Sequence, residues 1–170
     1  PRLPRRILVA GPSGSGKTTT AGLIAGTLGI PHHELDALHH GPNWTPRPDF
    51  EADVHRFAGE PGWVTEWQYG SVRQHLLDRA DLIIWLNLPR RQVMRQVIAR
   101  TVRRRIRREV LWNGNTEPPF RAIFTERDYV VRWAWVSYPK TAARMSAIGA
   151  ERPDLPIVRL RSRADTPTWL

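Results

Sequence analysis

The sequence predicts an α/β protein built on a parallel sheet, and three observations carry that expectation. Short apolar runs alternate with helix-length segments along the whole of the 170 residues. A glycine-rich stretch, "GPSGSGKT" at 11–18, falls between the first apolar run and the first helical segment. No internal repeat, low-complexity tract or long linker divides the chain, and its length suits one domain, 1–170, with a sizeable core.

Taken in order, "RRILVA" at 5–10 reads as a buried parallel strand, an apolar run that feeds a glycine-rich loop. Residues 17–29 read as a helix with Leu23, Ile24, Thr27 and Leu28 on its apolar face, ended by Gly29 and Pro31. "PHHELDAL", 31–38, is expected as a second strand ending near Leu35 or Asp36, and "HHGPNWTPRP", 39–48, as loop. A short helix is expected over 48–60, a third strand over 62–67 and a small helix from Ser71 to Arg79. "ADLIIWLNLP", 80–89, is a strong fourth strand, followed by one long helix over 90–112. "NGNTEPP", 113–119, breaks it; 120–148 is again helical with a break near Pro139; "PIVRLRS", 156–162, is the last strand.

Hydrophobic residues make up 41% and charged residues 25%, and no run of eighteen or more apolar residues occurs, so no membrane span is expected. The start lacks the basic-apolar-small pattern of a secretory signal. The absence of cysteine excludes a disulfide framework or thiolate metal site and fits a reducing, cytoplasmic setting. The net charge of +10 points to polyanionic ligands, nucleotides or nucleic acid. That excess is almost all arginine, since Lys17 and Lys140 are the only lysines. A biased genome composition has the same effect, so specific nucleic-acid binding is the lesser expectation.

The pattern G-x-x-x-x-G-K-[ST] is met by Gly11, Gly16, Lys17 and Thr18, with Pro12, Ser13, Gly14, Ser15 and Thr19 completing the loop. Glycines let backbone N–H groups turn inward around an anion, and the helix N-terminus adds partial positive charge. Lys17 is expected to reach the β- and γ-phosphates, and the Thr18 hydroxyl to ligate Mg²⁺. A nucleoside triphosphate with Mg²⁺ is therefore the expected ligand, and a GTPase is disfavoured because no base-reading N-K-x-D is present. A motor ATPase is disfavoured, because "DLIIWLNLP" ends in Asn87 where such strands end in a carboxylate. What remains is a compact phosphotransferase.

Such an enzyme needs polar groups at the strand ends to hold an acceptor, and a cationic cover that excludes water. Asp36 is the candidate base or water-bridged Mg²⁺ ligand; the plainer reading is a solvated loop Asp or helix cap. Glu66 is the candidate group for orienting Mg²⁺ or the acceptor; the plainer reading is a surface Glu at a strand edge. Trp44, Trp63, Trp67, Gln68 and Tyr69 are candidates to shape the acceptor pocket, although aromatics near strand ends are commonly core. His32, His33, His39 and His40 lack metal-site spacing, and His39 or His40 lining the pocket is preferred to a metal. Among Arg100, Arg103, Arg104, Arg105, Arg107 and Arg108, helical spacing places Arg100, Arg104, Arg107 and Arg108 on one face. Arg104 and Arg108 are singled out as cations for the transferring phosphoryl group, and the rest as a solvated basic face.

Several of these stretches resemble a known family. "GPSGSGKTT", "LDALHHGPNW", "GWVTEWQYG", "ADLIIWLNLPR", the arginine-rich helix, "YPK" and "VRLRSRAD" are similar to adenylate-kinase-related P-loop proteins, of the group often called DNA topology modulation proteins. The resemblance implies a nucleoside-monophosphate-kinase-like three-layer sandwich with a five-stranded parallel sheet. It also implies an acceptor-binding region at 38–60, a helical lid at 100–120, and Arg161 and Arg163 beside the adenine. The family's third strand usually ends in Asp-Gly-Asn-Tyr; here Glu66, Trp67, Gln68 and Tyr69 follow instead. An Arg that the family carries later is replaced by Leu76 and Leu77, with Arg73 as its candidate substitute. The expected activity is an ATP- and Mg²⁺-dependent transfer of phosphate to a small acceptor, a nucleoside or nucleoside monophosphate, by a monomer or homodimer. The alternatives are a nucleotide-switched nucleic-acid-binding regulator and a plain NTPase.

Overall fold

The computed structural model of the chain describes residues 3–116, 130–162 and 165. Its strands are β1 (Arg6–Ala10), β2 (His32–His33), β3 (Trp63–Glu66), β4 (Leu82–Leu86) and β5 (Ile157–Leu160). They form one sheet in the order β2-β3-β1-β4-β5, every neighbouring pair parallel. The helices are α1 (Lys17–Leu28), α2 (Leu35–His39), α3 (Phe50–Ala58), α4 (Gly70–Leu77), α5 (Arg90–Arg107) and α6 (Val130–Glu151).

Alternation along β1 divides the core between the two faces of the sheet. Ile7 and Val9 pack with Ala21 and Ile24 of α1 on one face. Leu8 and Ala10 pack with Phe50, Val54 and Phe57 of α3, Val72 and Leu76 of α4, and Met145 and Ile148 of α6 on the other. The result is three layers, as expected. Because β1 lies between β3 and β4, the strand order reverses beside it, and the crevice beyond its carboxyl end is where a ligand sits in such sheets. No helix among the described residues is long and apolar enough to cross a membrane.

Five local expectations change. The second strand is only two residues, pairing with Val64 and Thr65, because the Leu35 N–H then turns inward to Glu66 Oε2, at 3.2 Å, and α2 begins. Asp36 therefore stands in the first turn of a helix, not at a strand end. In α1 the buried residues are Thr20, Ala21 and Ile24, while Leu23 is 50% exposed and Thr27 is exposed. The glycine loop that feeds the helix sets its phase, and that phase turns the Leu23 and Thr27 side outward. In the stretch expected as loop, Pro42–Trp44 forms a 3-10 turn. The long helix stops at Arg107, where Arg108 takes a left-handed φ of 49° and its N–H caps the Arg104 and Arg105 carbonyls.

The fifth change is that α6 runs through Pro139 without a break. Proline cannot donate to the carbonyl four residues back, which is that of Trp135. The Arg90 guanidinium supplies the missing donor, at 2.8 Å from Trp135 O, and lies 3.5 Å from the centre of the Trp135 ring. Tyr138 adds a hydroxyl bond to Leu88 O at 2.8 Å, tying α6 to the start of α5. Arg90→Ala is expected to lower unfolding stability by about 0.5–1 kcal/mol, since it removes an exposed hydrogen bond and the ring contact. In a double-mutant cycle read by urea unfolding, Pro139→Ala restores the helical donor and should recover part of the loss. Additive effects would remove this explanation.

Candidate active site

The loop from Gly11 to Gly16 joins β1 to α1 in the way a phosphate cradle requires. Gly14 and Gly16 have φ of 80° and 96°, and Gly16 is the N-cap of α1. A Cβ at Gly14 would collide with the Val97 side chain of α5, so glycine is needed for space as well as for conformation. The loop is closed by the Ser15 N–H on Pro12 O, at 3.2 Å, and Pro12 O also accepts from Lys17 Nζ at 3.2 Å. Inward amides at a helix N-terminus fit the charge and shape of phosphate oxygens. Thr18 and Thr19 lie exposed at the same helix end.

Lys17 is half-buried. Burial draws its pKa below the usual 10.5; the charges of Asp36 and Glu66 oppose that pull and the charge of Arg100 adds to it. The loop lysine, the α2 carboxylate Asp36, the β3-end carboxylate Glu66 and Arg100 of α5 thus share one electrostatic neighbourhood.

Asp36 is held by residues from the far end of β3. Its Oδ1 accepts from Gln68 Nε2 at 2.8 Å and from the Tyr69 hydroxyl at 2.6 Å. Tyr69 has a left-handed φ of 58°, a strained geometry kept where surrounding contacts over-determine it. His39 stacks on the Tyr69 ring at 4.2 Å, Phe50 meets it edge-on at 5.2 Å, and His40 Nε2 lies 3.2 Å from its hydroxyl. Burial, then the Asp36 charge and hydrogen bond, push the Tyr69 pKa far up, so the phenol stays a proton donor.

Glu66 is not a surface group: it is 1% exposed. Its Oε1 lies 3.1 Å from His32 Nε2, and its Oε2 takes the Leu35 N–H. Burial works to raise its pKa, but the hydrogen bond and charge of His32 outweigh it and hold the carboxyl below its usual range. Glu34, at the N-cap of α2, moves the other way. Burial raises its pKa, a hydrogen bond with the Trp112 side chain opposes the rise, and the Glu66 and Asp36 charges add to it.

The four neighbouring histidines separate. His32 goes to Glu66, His33 to Glu60 and the Phe57 ring, and only His39 and His40 stay at Tyr69. Trp63 is wholly buried core. Trp44 meets His40 at 5.1 Å and Trp112 at 6.3 Å between ring centres. Arg73 lies over the Trp67 ring, 5.0 Å from its centre, and its carbonyl accepts the Trp67 indole N–H.

The arginine face is also reapportioned. Arg104 is paired with Glu109 at 3.7 Å and sits 5.9 Å from the Trp112 ring centre; Arg103 shares Glu109 at 3.4 Å. Arg108 lies past the helix end and is exposed, so it does not share a helical face with Arg104. Arg100 is the arginine whose charge reaches Lys17, and helical spacing alone did not single it out. After β5, the backbone N–H groups of Arg161 and Ser162 both donate to Asp165 Oδ2 at 2.8 Å, leaving the Arg161 side chain exposed. Arg163 and residues 117–120 of the stretch expected as a lid lie outside the described residues. The residues that sequence reasoning missed are Trp112, Asn113 and Asn115; the one available signal was the Asn-Gly turn in "LWNGNT".

No protein-family profile matches the sequence, and no curated protein does. Solved structures do match. A shikimate kinase from Bacteroides thetaiotaomicron superposes with a TM-score of 0.51 at 16% identity, over 98% of this chain and 94% of that one. A gluconokinase from Sinorhizobium meliloti 1021 matches at 22% identity with a TM-score of 0.44, over 86% of this chain and 98% of that one. At such identity the first likeness is one of fold. With the five-stranded parallel sheet and the glycine loop at the end of β1, it gives this chain the three-layer P-loop NTPase fold.

Proposed function

We propose that the protein transfers the γ-phosphoryl group of MgATP to a small acceptor, a nucleoside or nucleoside monophosphate. The observation that carries this reading is the placement of Asp36. It is anchored through Oδ1 by Gln68 and Tyr69, and it lies within the field of the phosphate-loop lysine. Both anchoring bonds fall on Oδ1, and Oδ2 is assigned the part of base toward the acceptor. Asp36 takes the hydroxyl proton as the acceptor oxygen bonds to the γ-phosphorus and the bond to the β–γ bridging oxygen breaks, releasing ADP. Toward a phosphate acceptor, Asp36 orients and does not need to act as a base.

Loop amides and Lys17 hold the nucleotide phosphates. The Thr18 hydroxyl, exposed at the start of α1, is the group that would hold Mg²⁺, which would neutralise phosphate charge when bound. Glu66 does not fit that role, because it is buried and its two carboxylate oxygens are taken by His32 and the Leu35 N–H. Trp44, which meets His40 and Trp112 edge-on, is the ring suited to a planar base, while His39 and Tyr69 stack on each other. Arg100 and Arg104 supply lid cations; Arg108 would reach the phosphates only through a lid movement. Arg161 borders the adenine side. Trp67 is core at 8% exposed, and Arg73, which lies over its ring, is assigned to the acceptor side.

The test is a transfer screen: MgATP with nucleosides, nucleoside monophosphates, sugars and hydroxy acids, with ADP and phosphorylated product measured against an acceptor-free background. Acceptor-dependent product from a nucleoside or its monophosphate supports the reading. ADP release indifferent to every acceptor and stimulated by DNA or RNA would replace it with a nucleic-acid-linked NTPase.

A further inference from the structure

Two turns, one after α2 and one after α5, are built alike. Each is a 3-10 turn, Pro42–Trp44 and Trp112–Gly114, with an asparagine in left-handed conformation: Asn43 at φ 55° and Asn113 at φ 54°. Each is closed by an antiparallel bridge, His40 with Pro46 and Val110 with Thr116. Each has the same backbone closure, the Gly41 N–H on Thr45 O at 2.7 Å and the Leu111 N–H on Asn115 O at 2.6 Å. The first turn continues from α2, which carries Asp36; the second continues from α5, which carries Arg100 and Arg104.

The turns dock on each other through side chain to backbone bonds. Asn115 is at the centre and only 5% exposed. Its amide nitrogen donates to Gly41 O at 2.9 Å and to Trp112 O at 2.8 Å, and its Oδ1 accepts the Trp44 N–H at 3.0 Å. Both amide hydrogens and the amide oxygen are thereby used, a pattern that Asp cannot supply for lack of donors. Around it the Asn113 amide donates to His40 O, and Trp44 Nε1 donates to Thr116 O at 3.3 Å. The rings of His40 and Trp112 stack at 6.2 Å.

We propose that Asn115 is a positioning residue that joins the arginine-bearing lid to the acceptor-side turn, so that the two open and close as one body. Its consequence for phosphate transfer rests on the kinase reading above; the joint movement does not. A lid tied in this way reaches the phosphates only when the acceptor side is also closed. Water entry and acceptor loss are then controlled by one motion.

The experiment is hydrogen exchange on the full chain, wild type against Asn115→Ala, with Trp44→Phe as a milder variant that keeps the ring and removes one cross-turn bond. In Asn115→Ala, exchange at 40–46 and 110–116 should rise together by about tenfold or more, with the β4 amides unchanged. Trp44→Phe should give a smaller rise, again in both turns. Loosening of 110–116 alone, in either variant, would overturn the proposal. If Asn115→Ala does not fold, the Trp44→Phe comparison decides. A second readout is the ratio of ADP formed to acceptor phosphorylated, which a purely structural role would leave unchanged. This ratio should rise about threefold or more in Asn115→Ala, about half of a tenfold loss on the free-energy scale. An unchanged ratio, with transfer intact in wild type, would refute the positioning role. Wild type that phosphorylates no acceptor would refute the kinase reading instead, and exchange alone would then judge the joint.

Discussion

Lys17→Met is expected to act in opposite directions on activity and on stability. MgATP turnover should fall by about 10²–10³-fold or more, because the side chain that meets the developing phosphate charge is gone. The ligand-free protein should become more stable. Burial is the largest influence on the Lys17 pKa and pulls it down, so the folded chain holds this ammonium at a cost. Its lowered pKa means that the cost is present at neutral pH and fades as the pH rises toward 10.5, the ordinary value. Methionine matches the stem without the charge. A gain of roughly 1 kcal/mol would raise Tm by about 2–4 °C for a chain of this size. Nucleotide reverses the ranking: at a hundredfold excess over Kd it stabilises the wild type by about 2.7 kcal/mol and the variant hardly at all. Melting curves with and without MgATP check both halves. A variant less stable than wild type in the absence of nucleotide would contradict the account of Lys17.

Asp36→Asn should cost about 10²–10⁴-fold in kcat with a hydroxyl acceptor and leave KM nearly unchanged. The reason is geometric. Gln68 Nε2 and the Tyr69 hydroxyl both donate to Oδ1, so the asparagine oxygen is retained there and its NH₂ takes the place of Oδ2. The acceptor hydroxyl then meets a donor where it needs a base. With a nucleoside monophosphate, whose phosphate is already ionised, the loss should shrink to about tenfold, that of an orienting contact. Steady-state kinetics on a nucleoside and its monophosphate separate the two cases. Equal wild-type rates in both would remove Asp36 from the chemistry.

Sequence reasoning reached the phosphate loop and four of the strands for a local reason. The loop's glycines, its lysine and the helix that follows are contiguous, and β1, β3, β4 and β5 are apolar runs bounded by polar or turn residues. Asp36, Glu66, Gln68 and Tyr69 were legible as candidates because parallel sheets gather functional groups at the carboxyl ends of their strands. How those four engage one another was not legible.

The sequence by itself determined an α/β chain with a glycine-rich loop between its first strand and first helix. Tertiary structure decided the rest through bonds between distant residues. Glu66 ends β2 by capturing the Leu35 N–H, 31 positions away, and so moves Asp36 onto a helix. Arg90 carries α6 through Pro139 by serving a carbonyl 45 positions away. Asn115 joins two turns by reaching Gly41 across 74 positions. Each is a side chain that satisfies a backbone group left open elsewhere in the fold. Hydrophobic period and local propensity report burial and conformation along the chain, and they hold no record of which distant group will complete a hydrogen bond.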